Sequence, residues 1–354
     1  MKIWAALLGA VAVVSAVAGE VPRIAVDADA AGAFPALDWG RSTEVRRGVS
    51  CLRLAITRPR LMKAELLRCD LSLFDFAATR RSPDWGREFK DAKTGKKTFV
   101  ERTQRMSTRD WIESNDDIAV AVNASPWDGG VGQGRLGKMP ADPNGFCMSY
   151  GEVLSDNPCW TNVFFVVRRD GTPDIICTGK KAPSAADRRG YLHVFMGYGL
   201  FLQRGVVLGA RDDLHPRTSY GLSRDRRHLY LLVVDGRQPD WSLGANNFDL
   251  AQLMIAAGAH DGINMDGGGS SAILYRDPET GHAEQLNRHD VLQFYARPVA
   301  INFGLVERPG PHALNTTSST LVIEKRDGAW SIPYFGARLG APGDVAALGA
   351  GATR

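Results

Sequence analysis

The chain has 354 residues, of which 44% are apolar and 23% are charged, so it can bury a sizeable core and is not globally disordered. Its 43 basic and 39 acidic side chains give a formal net charge of +4, and basic residues occur only in short runs such as 224–228. This distribution argues against a nucleic-acid-binding protein, which concentrates its basic residues in one patch.

The first 18 residues have the pattern of a secretory signal peptide. Lys2 precedes an apolar run at 3–17, and Ala16 and Ala18 match the small residues of a cleavage site. The run is shorter than the ~20 apolar residues of a membrane-spanning helix. We therefore expect cleavage after about Ala18, export to the periplasm or the extracellular space, and no membrane span after signal removal.

The rest of the chain is predicted to contain many short strands. Alternating apolar residues at 49–73 predict strands, the charged segment 84–104 predicts an exposed loop, and 107–115 predicts a helix that begins at a Ser/Thr cap. We divide the chain into the signal at 1–18, a lead-in with strands at 19–117 that is expected to pack on the main domain, the main domain at 118–306, and a loosely ordered tail at 307–354.

Within the main domain, strands are predicted at 118–122, 162–168, 191–196, 199–203, 228–234, 263–265, 271–275 and 297–306. The best helix is Asn247–Ala257, which Asn246 or Asn247 can cap and which Gly258 can end. Regular alternation of strands and helices is absent. We therefore predict an α+β fold with a β-rich mixed sheet core and a few helices.

The five cysteines form no C-x-x-C pair. In an exported protein an odd number leaves at least one thiol unpaired, and the pairs that are nearest in sequence are Cys51 with Cys69 and Cys147 with Cys159; the spacing does not decide between pairings. The chain also lacks H-E-x-x-H and EF-hand patterns, so no cofactor or metal is predicted. A structural Ca²⁺ or Mg²⁺ stays open, because oxygen ligands leave little trace in a sequence.

The segment most suggestive of chemistry is a glycine triplet between two predicted strands. Asp266 precedes Gly267, Gly268 and Gly269, and Ser270 and Ser271 follow. Adjacent glycines are costly in regular structure, but their N–H groups can form a concave nest for an anion. The segment lacks the Lys of a phosphate loop, and Ala272 stands where the final Gly of a nucleophile elbow would be needed. A tight turn with an incidental Asp is the competing interpretation.

Four further polar residues are candidates for the same site. Arg217 follows a proline and has the shape for bidentate phosphate recognition, and His215 could carry a proton near neutral pH. Asp235 ends an apolar strand and could pair with Asp266, as two carboxylates do in glycosidic chemistry. Asn123, at another strand end, could contact substrate. Each has a competing structural interpretation. Arg217 could form a surface ion pair and His215 could be a structural histidine. Asp235 could belong to an Asp-Gly turn and Asn123 to an Asx turn.

Together these motifs resemble the phosphodiester glycosidase family. The resemblance rests on His215-Pro216-Arg217-Thr218, on 234–238 and 242–244, and on 264–271 with Asn264 and Asp266, in that order, and it spans about 120–306. Two departures matter: after the strand-end Asn123 the run is Ala124-Ser125-Pro126-Trp127, where the family tends to have aromatics directly, and this affects the expected substrate pocket; Asn246-Asn247 takes the place of a Thr helix cap.

The resemblance implies that 118–306 is a catalytic domain that hydrolyses a sugar-1-phosphodiester, such as an N-acetylglucosamine-1-phosphodiester, at the anomeric carbon. It places Arg217 and the loop from Gly267 to Ser271 at the phosphate and Asp266 at the anomeric carbon as nucleophile, base or charge stabiliser. Asp235 and His215 would activate water or orient groups. The expected partner is a glycan or sugar-phosphodiester substrate.

Two other functions stay open at this point. One is a non-catalytic exported module that binds phosphorylated or acidic glycans with the same arginine and anion loop. The other is an exported phosphodiesterase that cleaves the P–O bond. The natural substrate, the stereochemical course and the oligomeric state do not follow from the sequence.

Overall fold

The computed structural model describes residues 21–90, 97–99, 103–128, 140–179, 182–289, 296–308, 312–315, 319–326 and 329–337. The predicted signal peptide at 1–18 lies outside the described residues. No helix in the described ranges is both long and apolar enough to cross a lipid bilayer.

Strands dominate the described residues. In chain order they are β1 (Arg23–Ala25), β2 (Thr43–Arg46), β3 (Val49–Ile56), β4 (Met62–Asp70), β5 (Phe74–Ala78), β6 (Glu88–Lys90), β7 (Lys97–Phe99), β8 (Thr103–Gln104), β9 (Ile118–Asn123), β10 (Trp127–Asp128), β11 (Pro140–Pro143), β12 (Phe146–Ser149), β13 (Glu152–Asp156), β14 (Val163–Arg168), β15 (Pro173–Cys177), β16 (Tyr191–Met196), β17 (Gly199–Gln203), β18 (Val206–Val207), β19 (Arg217–Leu222), β20 (His228–Val234), β21 (Asp261–Asn264), β22 (Ile273–Arg276), β23 (Ala283–Gln285), β24 (Asn302–Glu307), β25 (His312–Asn315), β26 (Ser319–Arg326) and β27 (Ala329–Ala337).

The helices are few and short. In the part of the chain that the structure describes, the α-helices are α1 (Thr108–Glu113), α2 (Ala185–Gly190) and α3 (Asn247–Ala257), and 3-10 turns lie at Trp39–Arg41 and Gly268–Ser270. The predicted β-rich core with few helices is confirmed. The predicted α+β class overestimates the helical content, however, because α1 and α2 have only 6 residues each and the fold is largely β.

The largest sheet has nine strands in the order β1-β3-β4-β20-β19-β21-β17-β18, with β2 paired to β3. All of its pairs are antiparallel except β1 with β3. Two five-stranded sheets follow the orders β23-β22-β9-β24-β5 and β13-β12-β16-β14-β15. Because β4 is hydrogen-bonded to β20, strands from the lead-in segment and from the main domain share one sheet.

Side chains of the nine-stranded sheet are buried on both faces. Along β20, Leu229, Leu231 and Val233 join the principal hydrophobic cluster, whereas Tyr230, Leu232 and Val234 join a second cluster under α3. This alternation is the two-residue period of a strand that is covered on both sides. In the principal cluster the ring of Phe303 lies 5.4–5.7 Å from the rings of Phe76, Phe165, Phe195 and Tyr220, which joins all three large sheets.

The helix ends match the local signals in the sequence. Ser107 accepts a hydrogen bond from the Asp110 N–H at the start of α1. Asn246 and Asp249 form a reciprocal capping box at the start of α3, and Gly258 ends that helix with φ at 100°. A positive φ of this kind is the conformation that favours glycine at a helix C-terminus.

Four expectations differ from the structure. The segment 84–104 was expected to be an exposed loop, but β6 and β7 pair in it; the closing strand begins at Asn302 rather than at 297. Described parts of the tail form a three-stranded antiparallel sheet of β25, β26 and β27 rather than a loose end. All five cysteines are free thiols, so neither of the two nearest pairs is bridged.

Candidate functional site

The motif segments meet at one end of the nine-stranded sheet. Arg217 begins β19 and lies opposite Val234, the last residue of β20. Asn264, the last residue of β21, lies opposite Ser219. Both neighbours run antiparallel to β19, so the segments at 215–217, 235–238 and 265–271 emerge at the same sheet end.

Pro216 is enclosed between two of these segments. Its carbonyl oxygen accepts a hydrogen bond of 2.8 Å from the Gly268 N–H, and a Cβ at Gly267 would lie only 2.7 Å from the same oxygen. On the other side, a Cβ at Gly236 would lie 2.5 Å from the Pro216 nitrogen. Real Cβ atoms do not approach so closely, so glycine is needed at both positions to bring the three segments together.

The glycine triplet links two sheets rather than two strands of one hairpin. It lies between β21 of the nine-stranded sheet and β22 of a five-stranded sheet. The Met265 N–H bonds to the Thr218 carbonyl and the Asp266 N–H to the Ala124 carbonyl, so the chain is fixed to both sheets just before the glycines. Gly268 begins a 3-10 turn with φ at 63°, and Gly269 and Ser270 complete that turn as buried residues.

Asp266 is a buried carboxyl at this junction, with 8% of its surface exposed. Burial raises the pKa of Asp266 to about 6, and the Ser270 hydroxyl, Arg297, the Gly267 N–H and the Trp127 indole N–H offset part of that rise. Burial favours the protonated acid, whereas positive charge and N–H donors favour the carboxylate. The balance leaves Asp266 largely ionised at neutral pH.

Asn123 connects β9 to the loop that contains Asp266. Its Nδ2 donates to the Asp266 carbonyl at 2.7 Å, and its Oδ1 accepts from the Thr218 hydroxyl at 2.9 Å and from the Ala272 N–H at 3.1 Å. The Tyr220 hydroxyl donates to the Asn123 carbonyl at 2.7 Å. The residue is fully buried, and these bonds occupy its side chain within the protein.

Two guanidinium nitrogens of Arg217, Nε and Nη2, donate hydrogen bonds to backbone and carboxylate oxygens of the protein. Its Nε donates to the Ala245 carbonyl at 3.0 Å, and its Nη2 donates to the Asp213 carbonyl at 2.8 Å and to Asp212 Oδ2 at 3.3 Å. Only 11% of the side chain is exposed. Burial lowers the pKa of Arg217, but an arginine stays charged at any physiological pH.

His215 and Arg237 form a pair beside the glycine loop. His215 Nδ1 lies 3.2 Å from Arg237 Nη2, and burial together with Arg217 and Arg237 lowers the pKa of His215. The imidazole is therefore neutral near pH 7 and can accept from the guanidinium. A Cβ at Gly268 would lie 3.3 Å from Arg237 Nη1, so Arg237 packs directly against the loop.

Asp235 occupies a separate polar network. Trp241 Nε1 donates to its Oδ2 at 2.6 Å, and the Arg288 N–H lies 3.1 Å from Oδ1 and 3.3 Å from Oδ2. Burial and then the charge of Glu65 raise the pKa of Asp235 to about 7. Among the described residues no hydrogen bond joins Asp235 to Asp266, so the two candidate carboxyls have different environments.

Glu65 lies behind Asp235 and is fully buried. Arg23 from β1 binds it through two hydrogen bonds, Nη2 to Oε1 at 2.5 Å and Nη1 to Oε2 at 3.2 Å, and Arg53 Nε lies 3.5 Å from Oε2. Burial raises the pKa of Glu65, while both arginines lower it.

The segment after β23 connects the surroundings of Asp235 to the glycine loop. Asn287 Nδ2 donates to the Ser271 carbonyl at 3.0 Å, and the next residue, Arg288, contacts Asp235 through its N–H.

Asn264 Oδ1 and Ser271 Oγ have no hydrogen-bond partner in the described structure, and they belong to residues with 1% and 3% exposure. Buried polar atoms are nearly always paired, so unpaired oxygens beside a buried carboxyl are available to a bound molecule.

Several residues near Asp266 were not selected from the sequence. Trp127, the first residue of β10, contacts the carboxyl with its indole, and the Arg105 guanidinium lies 5.3 Å from the Trp127 ring centroid. Arg105 is only 2% exposed, and its Nε and Nη1 have no hydrogen-bond partner in the described ranges. Tyr198 is a third residue, because its hydroxyl senses the charge of Asp266. Trp127 ends the run after Asn123 that departs from the family's aromatics, whereas Arg105 and Tyr198 belong to none of the motifs, so the three-dimensional contacts are needed to place all three near the carboxyl.

A buried, largely ionised carboxyl, with Arg297 in electrostatic range, lies where two sheets meet and makes this edge the candidate functional site. Its loop and strand ends come from residues 116–306, which match the family model described as phosphodiester glycosidase. The chain belongs to the phosphodiester glycosidase family, as the resemblance in the sequence indicated.

One solved structure, at a TM-score of 0.50, shares the fold, and two others show a weaker similarity. The zebrafish N-acetylglucosamine-1-phosphodiester alpha-N-acetylglucosaminidase catalytic domain, auto-inhibited by its pro-peptide, is 17% identical with a TM-score of 0.50, and the match covers 74% of this chain and 82% of that one. A hypothetical protein from Synechocystis is 12% identical with a TM-score of 0.47 and coverages of 75% and 63%. An exported-type protein from Burkholderia pseudomallei K96243 is 12% identical with a TM-score of 0.45 and coverages of 70% and 74%. A comparison with curated protein sequences finds no match to this chain.

Proposed function

We propose that the protein is an exported hydrolase that cleaves a sugar-1-phosphodiester at the anomeric carbon, with an N-acetylglucosamine-1-phosphodiester as the substrate class. The observation behind this proposal is Asp266, a buried carboxyl that stays mostly ionised because Arg297 and nearby N–H groups offset its burial. Membership of the phosphodiester glycosidase family supports hydrolase chemistry, and the proposal adds the bond and the substrate.

The leaving group of this reaction needs little assistance from the protein. When the bond between the anomeric carbon and the phosphate oxygen breaks, its electron pair leaves with a phosphomonoester, which is already a stable anion. The protein then has to stabilise an oxocarbenium-like transition state and the departing phosphate. A water oxygen finally bonds to the anomeric carbon, so the products are a free sugar and a phosphomonoester.

In this proposal Asp266 acts at the anomeric carbon as nucleophile, base or charge stabiliser. Its burial strengthens any electrostatic interaction with a developing positive charge. Arg217 binds the phosphate, since its Nε and Nη2 are held from behind and its charge is fixed near the sheet end. The predicted anion nest from Gly267 to Ser271 is largely used within the protein, because the N–H groups of Gly268, Ser270 and Ser271 bond to backbone carbonyls. The Gly269 N–H and the Ser271 hydroxyl supply further donors to the phosphate, and Asn264 Oδ1 accepts from a sugar hydroxyl.

Asp235 and His215 take positioning roles. Both carboxyl oxygens of Asp235 already accept hydrogen bonds from Trp241 and Arg288, which supports its use as a brace between the turn at 235–238 and the segment after Ser271. His215, neutral near pH 7, orients Arg237 against Gly268. Arg237 in turn adds positive charge at the phosphate side of the loop.

The decisive experiment compares Asp266→Asn with wild type on methyl N-acetylglucosamine-1-phosphodiester. We expect at least a ~100-fold loss of kcat, because an amide cannot supply the charge. Asp261→Asn is a matched control at the opposite end of β21, where Arg226 and the Arg204 N–H hold the carboxylate. Near-normal turnover by folded Asp266→Asn protein would exclude the catalytic assignment.

Isotope labelling separates this reaction from phosphodiester hydrolysis at phosphorus. In water enriched in ¹⁸O, cleavage at the anomeric carbon places the label in the sugar, whereas P–O cleavage places it in the phosphate. Label in the phosphate would replace the glycosidase proposal with the phosphodiesterase alternative. Sugar-phosphate binding without any product would favour a non-catalytic glycan-binding module.

Export is part of the same proposal and rests on the signal pattern at 1–18. Expression of the full chain with a C-terminal tag, followed by fractionation, should place a shortened protein outside the cytoplasm. Full-length protein retained in the cytoplasm would contradict it.

A further inference from the structure

Two large aromatic side chains are exposed next to the candidate site. Trp160 and Tyr198 are 49% and 45% exposed, and their ring centroids lie 4.8 Å apart at an angle of 58°. Large aromatic rings are usually well buried, so an exposed pair in contact is a feature that marks ligand binding. We call Trp160 and Tyr198 the aromatic platform.

The backbone fixes the platform to the end of β21. The Tyr198 N–H donates to the Asn264 carbonyl at 2.7 Å, two residues before Asp266. A Cβ at Gly197 would lie 2.7 Å from the same oxygen, so glycine permits this close approach. On the Trp160 side, the Thr161 hydroxyl donates to the Gly197 carbonyl at 2.7 Å, which ties the two segments together.

The charges of the candidate site reach the platform. Tyr198 is about half buried, and this partial burial raises its pKa to about 12; the negative charge of Asp266 adds to the rise, and Arg217 and Arg297 oppose it. The Tyr198 hydroxyl therefore lies within electrostatic range of all three charged groups. It also stays protonated at physiological pH and can donate a hydrogen bond.

We propose that the aromatic platform binds a pyranose ring of the substrate by stacking, beside the phosphate that Arg217 contacts. The proposal rests on the proposed function and narrows its substrate class to phosphodiesters with a sugar ring on the platform side of the scissile bond. A pyranose suits this surface because its C–H face is apolar while its rim of hydroxyls can pair with Tyr198. An aromatic side chain with a polar tip offers the same combination.

Neighbouring groups favour a sugar over a lipid or a protein partner. Asp266, Arg217 and Arg297 all act electrostatically on Tyr198, and an apolar surface with such charges nearby is unsuited to an acyl chain. A few polar groups near an aromatic surface are instead typical of a small-molecule subsite. The hydrogen bond from the Tyr198 N–H to the Asn264 carbonyl places the platform beside the segment that contains Asp266.

Calorimetric titration of the intact protein with two probes tests the platform. N-acetylglucosamine 1-phosphate contains the ring and the phosphate, and inorganic phosphate contains only the second part. We expect Trp160→Ala to weaken binding of the sugar phosphate at least ~10-fold and to leave phosphate binding within ~2-fold, because truncation of a large aromatic contact residue typically costs a factor of this size. Trp160→Phe should restore part of the loss.

A matched control uses Leu208→Ala, another exposed apolar residue at 50% exposure that follows β18. It should bind both probes as wild type does. An equal loss of both probes in Trp160→Ala, an unchanged sugar-phosphate affinity, or a wild-type protein that binds phosphate but not the sugar phosphate would each overturn the platform.

Failure of the proposed function gives a different result from failure of the platform. If the protein binds the sugar phosphate through Trp160 but wild type does not cleave the diester, the hydrolase proposal fails and the platform stands. If wild type cleaves the diester and Trp160→Ala does so with unchanged KM, the platform fails alone. We expect Trp160→Ala to raise KM about 10-fold with kcat within ~3-fold, the pattern of lost ground-state binding.

Discussion

Asn123 offers a sharp test of how the candidate site is built. Replacing it with alanine removes three side-chain hydrogen bonds, one to the Asp266 carbonyl and two from Thr218 and Ala272. Each bond contributes about 1 kcal/mol, and the abandoned partners stay buried. We therefore expect Asn123→Ala to lower the free energy of unfolding by about 3 to 5 kcal/mol.

The measurement is denaturant unfolding at neutral pH, followed by tryptophan fluorescence and circular dichroism. Asn115→Ala is a matched control, because its Nδ2 makes one side-chain hydrogen bond, to the Trp111 carbonyl at 2.7 Å, and should cost about 1 kcal/mol. Activity at a temperature where both variants are folded should fall more in Asn123→Ala, since the Asp266 backbone loses its anchor.

Two outcomes would refute this reasoning. If Asn123→Ala is no less stable than Asn115→Ala, the three bonds do not hold the junction together. If it is stable but raises KM with little change in kcat, Asn123 contacts substrate, as its place at a strand end suggested.

Two further predictions concern protonation and close packing at the glycine loop. Burial places the folded pKa of Asp266 at about 6, above its ordinary 3.8, so this carboxyl contributes most stability below pH 3.8 and loses it as pH rises through about 6. The denaturation midpoint of wild type, measured relative to that of Asp266→Asn, should therefore decrease as the pH is raised from 4 to 7. A difference that stays constant over this range would contradict the assigned burial. Gly267→Ala should reduce kcat/KM at least ~10-fold, because its Cβ would lie 2.7 Å from the Pro216 carbonyl, whereas Gly199→Ala, with open space around it, should stay near wild type.

Local signals in the sequence predicted the individual elements well. Helix α3 follows from a capping asparagine, an acidic residue in the first turn and a terminal glycine, all of which act within one helical turn. The strands of the main domain follow in the same way from runs of apolar residues. The family resemblance similarly rests on motifs that are short and contiguous, and the family match confirms it.

Relations between distant segments were harder to predict. The glycine triplet looked like a turn between two strands, yet its flanking strands belong to different sheets, and only pairing partners far along the chain decide that. The aromatic side chains near Asp266 show the same limit. Trp127 contacts the Asp266 carboxyl from 139 residues earlier in the chain and Tyr198 interacts with it electrostatically from 68 residues earlier, and no local pattern shows that either lies near it.

The ion pair between Arg23 and Glu65 has a consequence for the edge of the largest sheet. Strand β1 has only 3 residues and ordinarily such an edge would fray freely. Here fraying would withdraw Arg23 from a fully buried carboxylate, and breaking a buried pair of this kind costs about 3 to 5 kcal/mol. The edge of the sheet is thus held by an ion pair, and the charge of this edge-strand arginine also lowers the pKa of Asp235.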